Sequence, residues 1–311
     1  MLRSLARVGA AVAGLALGAA AGHAADGGAI LFVGNSFTFG SGSAVRYYRN
    51  QTVTDLNDEG IGGVPALFKV FADETGLTFD VALETRGGVG LDFHLQNKKA
   101  EITSRRWDIV VAHGYSTLDQ QKPRDPAKLV DTSQELADLM RAHNPKVQLF
   151  LTSTWSRPDQ VFPENGAWAG RPIQTMASDI RAAYDRAAAR IGATVIPVGD
   201  AFNRAMSTGF ADANPYDGID AGKIDLWTFD HYHASTFGYY LEALMVFGRV
   251  TGRDPRSLGD DECAGMELGL SKPQAAALQQ IAFDELAAES PIPANPKAPS
   301  PRGTVHRCPV K

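Results

Sequence analysis

Short apolar runs alternate along the chain with longer stretches whose apolar positions recur at helical spacing. "AILFVG" (29–34), "TFDVAL" (78–83), "WDIVVAH" (107–113), "VQLFLTS" (147–153) and "ATVIPV" (193–198) read as strands. Between them, "VPALFKVFADET", "PAKLVDTSQELADLMRAH" and "PIQTMASDIRAAYDRAAARI" read as helices. Two more follow the last strand: "TFGYYLEALMVFGRV", with Ser235 as N-cap and Gly252 closing it, and "KPQAAALQQIAFDELAA", which follows Ser271 and carries proline in its first turn. This alternation predicts an α/β chain: a central five-stranded parallel sheet, helices on both faces, right-handed crossovers, three layers in all. The near-continuous apolar character of the strands agrees, because both faces of such a sheet are covered. Ligands of such sheets sit beyond the carboxyl ends of the strands. Gly34, Asn35 and Ser36 fall at such an end. The long Gly-rich stretch "GSGSAVRYYRNQTVTDLNDEGIGGVP" reads as a loop, either a rim of the site or a spacer.

The chain's ends differ from this body. Arg3 and Arg7 precede an apolar run, Val8 to Gly22, which ends in small residues at Gly22 and Ala24. That order of charge, apolar core and small residues predicts a secretory signal peptide over residues 1–24, cleaved near Ala24, and hence a secreted or periplasmic protein without a membrane anchor. The expected organisation is a leader (1–24), one catalytic-sized domain (25–288) and a Pro-rich tail (289–311). Removing the leader takes away two arginines and no acid, so 30 basic residues become 28 against 35 acidic, and the formal charge moves from −5 to −7. That balance disfavours nucleic acid as a partner, and no Lys/Arg-rich amphipathic segment suggests a membrane surface. The chain's two cysteines, Cys263 and Cys308, have no C-x-x-C partner; in an oxidising compartment they predict one disulfide pinning the tail to the body, with two free thiols as the alternative.

By residue type alone, Ser36 after a strand reads as a helix cap. Several mechanical motifs are excluded: no lysine follows for a phosphate-binding loop, no G-x-G-x-x-G is present, and Thr38 stands where a G-x-S-x-G elbow needs glycine. A second segment, "DLWTFDHYHASTFGYYLEA", gives Ser36 another meaning. Asp230 and His233 lie three residues apart just before a helix, a separation at which a carboxylate can accept the Nδ1–H of the imidazole and leave Nε2 to take a serine proton. Two readings compete: a structural aspartate and histidine capping the helix, and metal ligation by Asp230, His231 and His233, for which His94, His113, His143 and His306 are scattered and supply no completing set.

Together "ILFVGNSFTFG" and "DHYHASTFGYYLEA" resemble the first and last blocks of the SGNH, or GDSL-like, hydrolases, in the branch where asparagine precedes the serine. The resemblance runs through about residue 250. It implies a flavodoxin-like α/β/α fold and a serine esterase working through an acyl-enzyme, with Ser36 as nucleophile, His233 as base and acid, Asp230 as its orienting partner, and no metal or organic cofactor. It also implies an oxyanion hole made by the backbone N–H of Ser36 and of a glycine after the second strand, which the spacing in "TRGGVGLDFH" places at Gly88. The family's third donor, an asparagine in G-x-N-D, is missing; the chain reads "HGYSTLDQ", with His113 or a nearby backbone amide as the candidate substitute. Trp155, Trp168, Trp227 and Tyr232 lie in segments near the expected site, and Trp155, Trp227 and Tyr232 are the candidate substrate contacts. Aromatic platforms suit sugar faces and acyl chains alike, and with export this points to a small-molecule or polysaccharide O-acyl ester, carbohydrate O-acetyl first. The alternatives are an O-acyltransferase of the same fold, or a carbohydrate-binding protein with a vestigial triad.

Overall fold

In the computed structural model, residues 25–290 and Cys308 are described; the leader and most of the tail lie outside them. The strands β1 (Gly27–Gly34), β2 (Thr54–Asp55), β3 (Thr78–Thr85), β4 (Ile109–Ala112), β5 (Gln148–Ser153) and β6 (Thr194–Pro197) form one parallel sheet in the order β2-β3-β1-β4-β5-β6. The sheet therefore has six strands rather than the expected five. The additional β2 lies inside the long polar loop and pairs through only two residues, Thr54 with Ala82 and Asp55 with Leu83, too few to leave a periodic signal. Without it, the five longer strands run 2-1-3-4-5 in chain order, the flavodoxin-like order.

Helix α1 (Gly63–Glu74) covers one face with α7 (Val198–Ser207), α8 (Thr236–Thr251) and α10 (Lys272–Glu289). On the other face lie α2 (Leu91–Asn97), α4 (Ala127–His143) and α6 (Gln174–Ile191), while α3 (Lys99–Ile102), α5 (Pro158–Val161) and α9 (Cys263–Glu267) are single turns in connections. The register of β1, from Gly27 opposite Thr78 to Gly34 opposite Thr85, brings the ends of β1 and β3 level. Helix α8 starts at the expected Ser235 cap, whose hydroxyl accepts the Gly238 N–H at 3.4 Å, and it is buried almost all round. It is thus a central helix, which explains an apolar sequence without a polar face. At α10, Ser271 and Gln274 form a capping box, with the Ser271 N–H donating to Gln274 Oε1 at 2.9 Å.

Cys263, the first residue of α9, is disulfide-bonded to Cys308 with 5.4 Å between Cα atoms. No helix among the described residues is long and apolar enough to cross a membrane.

Candidate active site

The chain leaves β1 in a tight turn, not a helix. Asn35 Oδ1 accepts the Phe37 N–H at 3.1 Å, the Phe39 N–H returns to the Asn35 carbonyl at 3.1 Å, and the Ser41 N–H to the Ser36 carbonyl at 3.0 Å. Ser36 is not a cap here: its Oγ accepts no backbone N–H, and makes no hydrogen bond among the described residues. Gly34 is required by close approach, because a Cβ there would stand 2.2 Å from Thr38 Oγ1 and 2.6 Å from His113 Nε2. Asn35 Nδ2 donates to the carbonyls of Val89 (2.9 Å) and Gly114 (3.2 Å), so one side chain ties the serine turn to the loops after β3 and β4.

The segment before α8 closes on itself. Thr228 N–H donates to the His233 carbonyl at 2.8 Å, and Trp227 bridges Ala234 in antiparallel fashion. Inside this loop Asp230 gathers four donors: His233 Nδ1 at 2.6 Å, Thr228 Oγ1 at 2.7 Å, and the N–H groups of Tyr232 and His233 at 2.9 Å each. Burial works to raise the Asp230 pKa, but these hydrogen bonds outweigh it and bring it down to about 2. The carboxylate therefore fixes Nδ1 as the protonated nitrogen. His233 Nε2 is buried with no hydrogen-bond partner among the described residues. Two contacts bring this loop to the serine turn: the Phe37 ring meets His233 edge-on at 5.9 Å, and buried Tyr239 of α8 donates to the Ser36 carbonyl at 3.2 Å. Ser36 and His233 share this corner without a hydrogen bond between them.

Gly88 lies exposed in the loop between β3 and α2 with φ +74°, a conformation that favours glycine. Arg86 N–H to the Gly34 carbonyl (3.1 Å) and Asn35 to Val89 hold that loop against the serine turn. Neither Ser36 N–H nor Gly88 N–H has an internal acceptor among the described residues. His113 does not fit the donor role. Its Nδ1 is 3.1 Å from the Gly114 carbonyl, which can only accept, so Nδ1 carries the proton; Nε2 then accepts from Thr38 Oγ1 at 2.8 Å. Burial lowers its pKa to about 4, so the ring is neutral with both nitrogens engaged and no N–H to offer an oxyanion.

The tryptophans also correct the sequence reading. Trp155 is wholly buried, stacked between Phe37 (3.9 Å) and Phe202 (5.1 Å), and its Nε1 donates to the Tyr232 carbonyl at 3.2 Å. Trp227 is buried with Nε1 on the Ser156 carbonyl, and Trp168 with Nε1 on Asp179. Trp155 and Trp227 stand behind the serine turn and the Asp230–His233 loop as core, because a large apolar body with one N–H is as well satisfied by a core carbonyl as by a ligand. Tyr232 is only half-buried, stacked on His233 at 4.1 Å. Sequence reasoning missed what lies on its ring: the Arg157 guanidinium, 3.4 Å from the centroid, which is held by Asp159 through two bonds and donates to Ser116 Oγ at 3.0 Å. It also missed the buried hydrogen bond between Glu84 and His94, which closes the ends of the Gly88 loop. The acid near the end of an apolar strand was the available signal for that pair.

Asp230, His231 and His233 do not converge as ligands; among the described residues one group does so, Asp200, Glu285 and Glu289. Arg181 and Arg204 already pair with these carboxylates, in the first turn of α7 and the last turns of α10.

No protein-family model matches the chain, and no curated protein does. Solved structures do. A DUF4886 family protein from Bacteroides uniformis superposes with a TM-score of 0.59 at 19% identity, over 86% of this chain and 96% of its own. A protein described as a GDSL-like lipase from Parabacteroides merdae gives 0.52 at 15% identity, over 71% and 94%. A protein described as an SGNH hydrolase from Slackia heliotrinireducens gives 0.49 at 21%, over 71% and 97%. The chain has the SGNH-like hydrolase fold.

Proposed function

We propose that this chain is an exported serine esterase that hydrolyses O-acyl esters, carbohydrate acetates first, through Ser36, His233 and Asp230. One observation carries the reading: His233 Nε2 is buried and unpartnered while Nδ1 is fixed by an ionised Asp230, beside the turn that bears Ser36. An imidazole so held has one free lone pair, the state in which it can take the proton of a serine hydroxyl.

In this mechanism Nε2 takes the Ser36 proton as Oγ bonds to the ester carbonyl carbon. The carbonyl oxygen becomes an oxyanion that receives the Ser36 and Gly88 N–H groups. The imidazolium, stabilised by Asp230, then gives its proton to the departing alcohol as the C–O bond breaks. Water, deprotonated by the same nitrogen, releases the acid and restores the serine. Two backbone donors without the family's asparagine predict a modest catalyst, since one good oxyanion donor contributes roughly 100- to 1000-fold. Support for a carbohydrate ester comes from the exposed rings of Phe229, Tyr216 and Phe162, of which Tyr216 packs on His231 at 4.1 Å and on Phe162 at 5.6 Å beside the catalytic loop.

The test is intact mass after treatment with a fluorophosphonate. A single adduct on the wild type and none on Ser36→Ala is expected; absence of an adduct on the folded wild type overturns the reading.

A further inference from the structure

We propose, building on the esterase reading, that Arg46 is an anion subsite at the mouth of the site and that the preferred ester carries a carboxylate on its alcohol part, as an O-acylated acidic saccharide does.

Arg46 lies in the single 3-10 turn Ala44–Tyr47 of the long loop after β1. Its guanidinium carbon is 4.9 Å from the centroid of Phe39 and 5.2 Å from that of Tyr47. Phe39 is three residues past Ser36. The tip of the same ring, Cζ, is 3.5 Å from where a Cβ on Gly87 would sit, so the guanidinium and the Gly88 loop touch one side chain. The loop is anchored there by the Gly62 N–H, which donates to the Arg46 carbonyl at 2.9 Å. Arg46 thus stands across the Phe39 ring from the Gly88 loop.

Its charge is unanswered. Among the described arginines, only Arg46 and the exposed Arg171 make neither a side-chain hydrogen bond nor an ion pair, and Arg46 Nε is buried without a partner. The contrast is local: Arg49 is clamped by Glu267, and Arg157 by Asp159. Carboxylates are not scarce, with 35 acidic against 30 basic residues. Leaving a half-buried guanidinium without one costs stability, unless a ligand supplies the missing acceptor. Two aromatic faces hold the plane of the fork, which matches a carboxylate through paired N–H donors. A single cation between apolar rings suits a monoanion better than a phosphate dianion.

The test compares kcat and KM for an O-acetyl methyl galacturonoside and its neutral carboxamide, in wild type, Arg46→Met and Arg46→Lys. Wild type should favour the acid by about tenfold or more, mostly in KM, as expected for one charge-assisted pair. Arg46→Met should bring that ratio to about one, and Arg46→Lys should retain part of it because the charge remains without the fork. High salt on the wild type should erode the ratio without any substitution, which keeps the test open if a variant fails to fold. A wild-type ratio near one overturns the proposal, and so does a ratio that survives in Arg46→Met. If the wild type cleaves neither ester and gives no fluorophosphonate adduct, the esterase reading fails by itself. Binding of the two glycosides to Ser36→Ala then decides: a preference for the acid that Arg46→Met removes supports the subsite, and equal binding overturns it.

Discussion

Acid should loosen this protein through His113, and the size of the effect follows from its surroundings. In the fold the ring is buried, donates Nδ1–H to the Gly114 carbonyl and accepts at Nε2 from Thr38. Protonation would convert that acceptor into a second donor against the Thr38 hydroxyl, without solvent to stabilise the charge. Burial accordingly lowers the pKa from 6.5 to about 4. Between those values the unfolded chain binds a proton that the folded chain refuses, so stability rises with pH across the window and is lost as pH falls through it. The linkage integral over about 2.5 pH units gives a loss of about 3 kcal/mol on going from pH 7 to pH 4. Urea unfolding at pH 7, 6, 5 and 4 would measure it, with His113→Gln as reference, since Gln offers an acceptor to Thr38 and cannot titrate. Contributions from other groups cancel in the difference, which should move against the wild type by about 3 kcal/mol over that range. A difference that stays flat from pH 7 to pH 4 would refute the reasoning.

Asp230→Asn should lower kcat by roughly 10³- to 10⁴-fold with little change in KM, because an amide no longer fixes the tautomer or stabilises imidazolium; steady-state kinetics on any cleaved ester checks this. Gly34→Ala should cost about 1–3 kcal/mol, since its Cβ would displace Thr38 Oγ1 and His113 Nε2 from 2.2 and 2.6 Å; a urea midpoint shift reads it. Glu242 is buried in α8 with its pKa raised well above 4.5 by desolvation, and its Oε2 has no partner among the described residues. Burial favours its neutral form, so its contribution is intact in acid and lost as pH rises; Glu242→Met should gain about 1 kcal/mol or more, with a larger gain at pH 8 than at pH 5 in urea unfolding.

The sheet was legible where a strand is long and covered on both faces, because such a strand must be apolar along its whole length. β2 was not, because two residues paired at an edge leave no pattern. The site divides in the same way. Asp230 and His233 interact within one short loop, so their spacing carried their geometry, while Gly88 was chosen on a spacing that resembles the family's, and the structure adds its positive φ. His113 was misread because its role depends on Thr38, 75 residues away, and on the missing Cβ of Gly34. Trp155 and Trp227 were misread because the same side chain serves a core or a platform, and only the packing of Phe37 and Phe202 decides which.

The asparagine before the serine shows how sequence and topology meet. β1 lies between β3 and β4, so the loops leaving those neighbours pass on either side of the residue after its end. Asn35 faces three backbone groups there: the Phe37 N–H needs an acceptor, and the Val89 and Gly114 carbonyls need donors. A carboxylate could satisfy the first and would repel the other two, whereas an amide carries one oxygen and two N–H groups in that division. The requirement also fixes which end of the amide is oxygen. The Gly114 carbonyl accepts from both Asn35 and His113, and the Gly114 N–H donates to the Tyr184 hydroxyl at 2.9 Å, so both polar groups of Gly114 are committed to structure. The same amide that holds the Gly88 loop beside Ser36 therefore commits the β4 end to scaffolding. That is a physical reason for the candidate donor beside the Ser36 N–H to lie at Gly88, on the β3 side, and not at His113.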